Sequence, residues 1–159
     1  MIQSVKPAPT DETDGLPMPK RIWAVISVGF ALCMSVLDVN IINIVLPTLS
    51  HDFGTSPAVT TWIINGYQLA IVVSLLSFSA LGEIIGYRKV YLSGIGLFCI
   101  TSLICALSDS FWTLTIARIF QGFSASAITS VNTAQLRYIY PKSQLGRGMG
   151  INAMVVAIS

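Results

Sequence analysis

Charge is what this sequence has least of: Asp, Glu, Lys and Arg make up 10% of its 159 residues, against 53% hydrophobic ones. That is too little to coat an ordinary soluble globule of this length, so a bilayer or a large partner must cover the chain. Histidine is nearly missing, with His51 alone, and Cys33, Cys99 and Cys105 form neither a C-x-x-C pair nor a Cys/His cluster. No metal site and no disulfide framework follow from them. Each thiol stands inside an apolar run, where it is expected to act as a small hydrophobe. His51, beside Asp52, is expected to be a solvated loop residue. Also missing are G-x-S-x-G, H-E-x-x-H and a second carboxylate near Asp38 for acid/base work, so neither an enzyme nor a cofactor is expected. The net charge is +2, with no dense basic face for nucleic acid to bind.

What the sequence does have is long apolar runs. They cover about residues 22–46, 59–81, 90–107 and 111–136, and another opens at about 146 and runs to 159. The first four are each near the ~20 residues that a helix needs to cross about 30 Å of hydrocarbon. Barrel strands would alternate apolar and polar residues, which these runs do not, and lipid forbids open sheet edges. The expected fold is an all-α integral membrane bundle, with four complete transmembrane helices and the start of a fifth. Residues 1–20, rich in Pro, Asp, Glu and Lys, have nothing to bury and are expected to be a disordered cytoplasmic tail before a bundle over 21–159. The first run exceeds a signal h-region and no A-x-A-like site follows it, so it is expected to be a retained span.

Basic residues mark one side. Lys6, Lys20 and Arg21 precede the first run, Arg88 and Lys89 separate the second and third, and Arg137, Lys142 and Arg147 follow the fourth. The alternate loops, 51–56 and 108–110, carry no Lys or Arg. Short cytoplasmic loops keep the positive charge, so the amino terminus is expected to be inside. Trp23, Trp62 and Trp112 stand at run edges, as interfacial anchors do, and Tyr87, Tyr91, Tyr138 and Tyr140 are expected to form a cytoplasmic belt.

Two full charges fall within the runs, Asp38 and Arg118. Each costs about 2.5–3.5 kcal/mol at a helix centre on insertion scales, so each needs a partner or a wet cavity. Counted from Pro47 and from Ser110, taken as the outer ends of their runs, they lie roughly 13 and 12 Å deep at ~1.5 Å per residue. Gln68 is expected at the same depth and Gln121 one turn below Arg118, making a polar layer from three spans. Such a pair either locks helices together or lets Asp38 take up and release a proton under the influence of Arg118. Asn40 and Asn43 flank Asp38 as cavity-lining groups or as interhelical hydrogen-bonders. Gly122, Ser124, Ala125, Ser126 and Ala127 are expected to permit close helix packing. Gly82 and Gly86 fit G-x-x-x-G beside Arg88 and Lys89, where a loop constraint explains them better than a dimer face. Gly146, Gly148 and Gly150 follow a basic loop and not a buried strand, which argues against a phosphate cradle.

At these residues a family resemblance becomes specific. LDVNIINIVLPTL, Leu37 to Leu49, resembles the first-span signature of the drug:proton antiporters of the major facilitator superfamily, particularly the fourteen-span branch. LTIARIFQGFSASA, Leu114 to Ala127, resembles their fourth-span motif, an Arg followed by Gln-Gly. LGEIIGYRKVYL, Leu81 to Leu92, is similar to their second-to-third loop, with Ser79 at a usual Gly, Glu83 at a usual Asp, and Ile84 and Tyr87 at usual basic positions.

The resemblance implies the N-terminal part of a two-bundle transporter in the plasma (inner) membrane, its remaining C-terminal spans beyond Ser159. It further implies proton-coupled efflux of amphipathic or cationic drugs. Asp38 and Arg118 would then couple protons, while Asn40, Asn43, Asn65, Gln68 and Gln121 line the cavity and Gly82, Glu83, Gly86 and Arg88 form a cytoplasmic gating loop. The expected partners are a small-molecule substrate, protons and lipid. Two alternatives stay open: uptake or exchange of a metabolite on the same scaffold, and a non-transporting membrane protein whose charges bind another span.

Overall fold

A computed structural model describes residues 18–140 and 144–158, all in helices or the turns between them. The order is α1 (Met18–Asp52), α2 (Pro57–Thr60), α3 (Trp62–Ile85), α4 (Tyr87–Ala106), α5 (Phe111–Ile139) and α6 (Leu145–Ile158). No strand occurs among the described residues. Ser56 caps α2 by accepting from the Val59 N–H, Pro57 opens it, and only the Thr61 turn separates it from α3. Three segments, Pro19–Asp52, Pro57–Ile85 and Tyr87–Ala106, are long and apolar enough to cross a membrane. The chain is therefore an all-α integral membrane bundle of four long helices, with the 14-residue α6 opening a fifth.

The fourth long helix, α5, is not one of those three apolar segments, and its position explains why. Both α3 and α4 pack most extensively against it, so its solvent is protein more than lipid. It can therefore carry Arg118, Gln121, Ser124, Ser126 and Asn132 in buried positions. Small residues make the contacts close. A methyl group on Gly122 would stand 2.5 Å from the Tyr67 carbonyl oxygen, and one on Gly94 would stand 3.1 Å from Ala127 Cβ and 3.2 Å from the Ser124 carbonyl. The packing expected of Gly122 to Ala127 is the packing observed.

Buried hydroxyls mostly bond within their own helix. Ser35, Ser74, Thr101 and Thr129 donate to the carbonyls of Ala31, Ala70, Leu97 and Ala125, four residues back. Ser126 instead reaches across to Ile71 O at 3.2 Å. Outward faces are apolar, with Ile44, Leu76 and Ile84 among the most exposed side chains.

Among the described residues, Arg21, Arg88, Lys89 and Arg137 gather at one end. Gly86 turns α3 into α4 at φ +98°, a conformation that favours glycine, and so sets Arg88 and Lys89 there. Gly82, one turn earlier, is buried against Tyr87 and Val131. At the same end Arg21 Nη1 donates to Gln144 Oε1 at 3.3 Å, and Tyr91 Oη donates to Ser27 O at 3.0 Å.

Four expectations change. Residues 1–17 lie outside the described residues, but Met18, Pro19 and Lys20, expected in a disordered tail, already belong to α1. Pro47 does not end that helix: the chain continues helically to Asp52, with Ser50 Oγ donating to Pro47 O at 2.8 Å. Proline forfeits one intrahelical donor, and a helix this long retains enough others to continue. His51 consequently sits in a last helical turn and not in a loop, although it is exposed as expected. The tyrosine belt reduces to one outward ring, Tyr138; Tyr91 and Tyr140 are core residues, and Tyr87 is half-buried. Tyr140 packs on the helix that carries Gly148, where a methyl group would fall 2.6 Å from its ring. Among the tryptophans, Trp23, Trp62 and Trp112 all point outward.

Gly122→Ala is expected to destabilise the bundle by about 1–3 kcal/mol, because the obstacle is backbone and cannot rotate away. Gly96→Ala, whose new methyl meets nothing within 4 Å, is expected to be neutral or stabilising. Thermal unfolding of the two variants in the same detergent checks the contrast.

Candidate functional site

On α1, Asp38 falls between Ala31 and Ile42; on α5, Arg118 and Gln121 fall between Leu114 and Ala125. These flanking residues belong to two apolar clusters. The larger, which includes Val28, Ala31, Tyr67, Ala125 and Ile128, closes one side of the polar group. Ile42, Ile63 and Leu114 close the other, with Phe53 and Phe111 packed against them.

Between the clusters Arg118 Nη1 donates to Asp38 Oδ2 at 2.6 Å, and Gln121 Nε2 donates to Asp38 Oδ1 at 3.2 Å. The Arg118 and Asp38 side chains are 8% and 15% exposed. Gln121 is fully buried, and its Oε1 accepts from Cys105 Sγ at 3.4 Å. Each carboxylate oxygen thus has a donor from α5, one charged and one neutral, and the neutral donor is itself engaged from α4. Charge-assisted hydrogen bonds of this kind are short and strong, and burial removes the screening that weakens surface pairs. Arg118 Nε is buried with no hydrogen-bond partner, as are Asn132 Oδ1 and Gln135 Nε2 further along α5.

Other residues singled out from sequence stand elsewhere. Gln68 does not join the ion pair: it is exposed, whereas Tyr67 is buried and lies within electrostatic range of both charges. The polar layer expected from three spans is thus built from α1 and α5, with a thiol from α4. The cause is the α3–α5 crossing. Ile63, Tyr67, Ala70, Ser74 and Gly82 are the buried α3 positions, and Gln68 is turned about 100° from Tyr67. Asn40, Asn43 and Asn65 are likewise exposed on this chain. Glu83, Gly86 and Arg88 are exposed at the basic end, and Gly82 is buried there.

Sequence reading missed Cys105 and Tyr67. Cys105 lies 16 residues before Gln121 across an antiparallel turn, a separation that gives no local signal. None of the three cysteines forms a disulfide. No group of three His, Cys, Asp or Glu side chains suited to a metal occurs among the described residues. Two open grooves flank the bundle. One, of about 410 Å³, is apolar and lies between α1 and α6; the other, of about 390 Å³, lies at the basic end by Tyr87 and Arg137. Neither includes the ion pair.

Relatives of the chain carry the names of transporters and an export protein. The chain is 51% identical over 151 residues to the Uncharacterized transporter YebQ of Escherichia coli (strain K12), covering 95% of this chain and 33% of that one. Against the Riboflavin transporter RibZ of Clostridioides difficile (strain 630) the identity is 32% over 140 residues, or 87% of this chain and 31% of the relative. Against the Tetracenomycin C resistance and export protein of Streptomyces glaucescens it is 32% over 155 residues, or 97% and 29%. The chain therefore spans about a third of the length of the curated relatives it matches. The Major Facilitator Superfamily model matches residues 28–159, which take in the ion pair and every complete long helix but the first turns of α1, and the chain belongs to that superfamily of transporters, which are not enzymes.

Proposed function

We propose that the chain supplies the first helices of a secondary active transporter that exports amphipathic or cationic compounds in exchange for protons, by alternating access. The observation that carries this reading is the buried Asp38–Arg118 pair with Gln121 on its second oxygen. Ionisable groups at this depth are costly and commonly mark a proton or substrate path. While Arg118 and Gln121 donate to it, Asp38 is stable as a carboxylate. A cationic substrate that competes for the carboxylate, or a shift of α1 that withdraws Arg118, changes that balance; with the guanidinium gone, a carboxylate between two apolar clusters takes up a proton. Asp38 is then neutral, and the electrostatic attraction between α1 and α5 is lost.

In this reading Asn40, Asn43, Asn65 and Gln68, exposed on this chain, face the cavity beside the second bundle of the complete transporter. Gly82, Glu83, Gly86 and Arg88 form a gate at the cytoplasmic end, with the turn fixed by the positive φ of Gly86. A relative whose name describes resistance to and export of tetracenomycin C supports the direction of transport. A second reading, transport of a metabolite, is favoured by the relative named for riboflavin.

In the complete transporter, Asp38→Asn is expected to lower efflux driven by a pH gradient at least about tenfold, as loss of an intramembrane carboxylate that couples protons would. Unchanged gradient-driven efflux would rule the coupling role out. A toxicity screen of cells lacking the transporter separates the two cargoes: sensitivity to amphipathic cations favours export, and a growth requirement for a metabolite favours the second reading. The chain expressed alone is expected to support no efflux, because one partial bundle cannot enclose a cavity between two halves.

The orientation with the amino terminus in the cytoplasm is tested separately. A membrane-impermeant thiol reagent is expected to label Asp109→Cys in intact cells and Lys89→Cys only after the membrane is opened. The reverse pattern would invert the topology.

A further inference from the structure

Gln121 is fully buried, so its amide must find its partners within the protein. An amide side chain has an accepting end and a donating end, and the two neighbours of this one differ in kind. An ionised Asp38 can only accept, and the Cys105 thiol can donate. Only one orientation serves both: nitrogen toward Asp38 Oδ1 at 3.2 Å and oxygen toward Cys105 Sγ at 3.4 Å. The Gln121 backbone is held independently, because its carbonyl accepts from Ser124 Oγ at 2.6 Å. Thr101, one turn before Cys105, is committed to the carbonyls of Leu97 and Phe98. From α4, therefore, Cys105 is the side chain that engages the amide.

We infer that Cys105 is a positioning residue for the ion pair: its thiol fixes the orientation of the Gln121 amide, and protonation of Asp38 reverses that orientation and is thereby transmitted to α4. This rests on the proton-coupled reading above. A proton on Oδ1 turns that oxygen into a donor facing the amide N–H, and two donors cannot bond each other. Turning the amide brings Oε1 to the new O–H and the N–H to sulfur, which accepts weakly where before it donated. The thiol serves in both states. An alanine serves in neither, and a serine hydroxyl serves in both.

Among the described residues, the ionisable groups facing Asp38 are Arg118 from α5, Tyr67 from α3 and Cys105 from α4. α2 has none, and the Arg147 position of α6 stands in its first turn at the basic end.

The test uses the complete transporter in membranes. The infrared S–H band of Cys105, assigned by its loss in Cys105→Ala, is followed as pH is varied. It is expected to move between two positions in the wild type and to stay fixed in Asp38→Asn. Gradient-driven transport is expected to fall about three- to tenfold in Cys105→Ala and in the volume-keeping Cys105→Val, and to stay within about twofold of wild type in Cys105→Ser, the range that one weak hydrogen bond governs. If Cys105→Ala fails to fold, the valine variant and the wild-type band decide the matter. A band that ignores pH, or full transport in Cys105→Val, overturns the inference; where Asp38→Asn is still uncoupled, the proton-coupled reading survives that result. Full coupling in Asp38→Asn overturns that reading itself.

Discussion

A guanidinium does not give up its charge inside a protein, so Arg118 can sit within a bilayer only where protein replaces lipid around it. Much of the bundle follows from that constraint. α5 has to be the inner helix, and it is the one on which both α3 and α4 pack most extensively. An inner helix needs neighbours at close range, and Gly122 and Gly94 supply that range at the Tyr67 and Ser124 carbonyls. It also needs a counter-charge, which among the described residues α1 supplies at Asp38. Asp38 in turn could not be left alone: removing one member of a buried pair typically costs about 3–5 kcal/mol, because the other charge stays behind without a partner.

The existence and order of the helices were legible because a run that stays apolar for about 20 residues matches the thickness of a bilayer and outlasts a typical buried core segment. α5 was read from its run, 111–136, as the others were, and its motif around Arg118 marked it as well; the polar content that keeps it from counting among the segments apolar enough to cross is what an inner position requires. The ion pair was legible too, since counting residues fixes depth and two charges at one depth attract. Counting does not fix direction around the helix axis. In a soluble helix the polar face shows which side is outward, but lipid and helix neighbours are both apolar, and that cue is lost. Gln68 shows the result: its depth is that of the pair, yet the α3–α5 contact turns Tyr67 inward in its place. The tyrosines at the basic end fail for the same reason. A ring at an interface and a ring in a core have the same position in sequence, and only packing separates Tyr138 from Tyr91 and Tyr140.

Polar groups in this bundle fall into two classes. Most hydroxyls are satisfied within one helix by a carbonyl four residues back, so they place no demand on neighbours and would remain satisfied if helices moved. Asp38, Arg118, Gln121 and Cys105 instead bond across helices, in a chain of bonds that joins α1, α5 and α4, as Ser126 does to Ile71 and Tyr91 to Ser27. A rearrangement of the bundle therefore disturbs these bonds and spares the intrahelical ones.

The two kinds of contact are also distributed unevenly over α5. α3 is tied to it by backbone-close contact at Gly122 and by the Ser126–Ile71 bond, and α4 by the Gly94 contact; none of these can lengthen gradually without opening a void. α1 packs on α5 far less extensively, and the Asp38–Arg118 pair is its charged link to that helix. The α3–α4–α5 core is thus the more closely packed unit, and α1 meets it through Val28, Ala31 and Ile42, the Tyr91–Ser27 bond and the Asp38–Arg118 pair. In the proposed mechanism a proton on Asp38 would remove the charge attraction of that pair and leave the glycine contacts of α3 and α4 with α5 in place. On the proposed proton-coupled reading, α1 is therefore where the bundle would loosen, while the glycine contacts keep the rest of the fold in place.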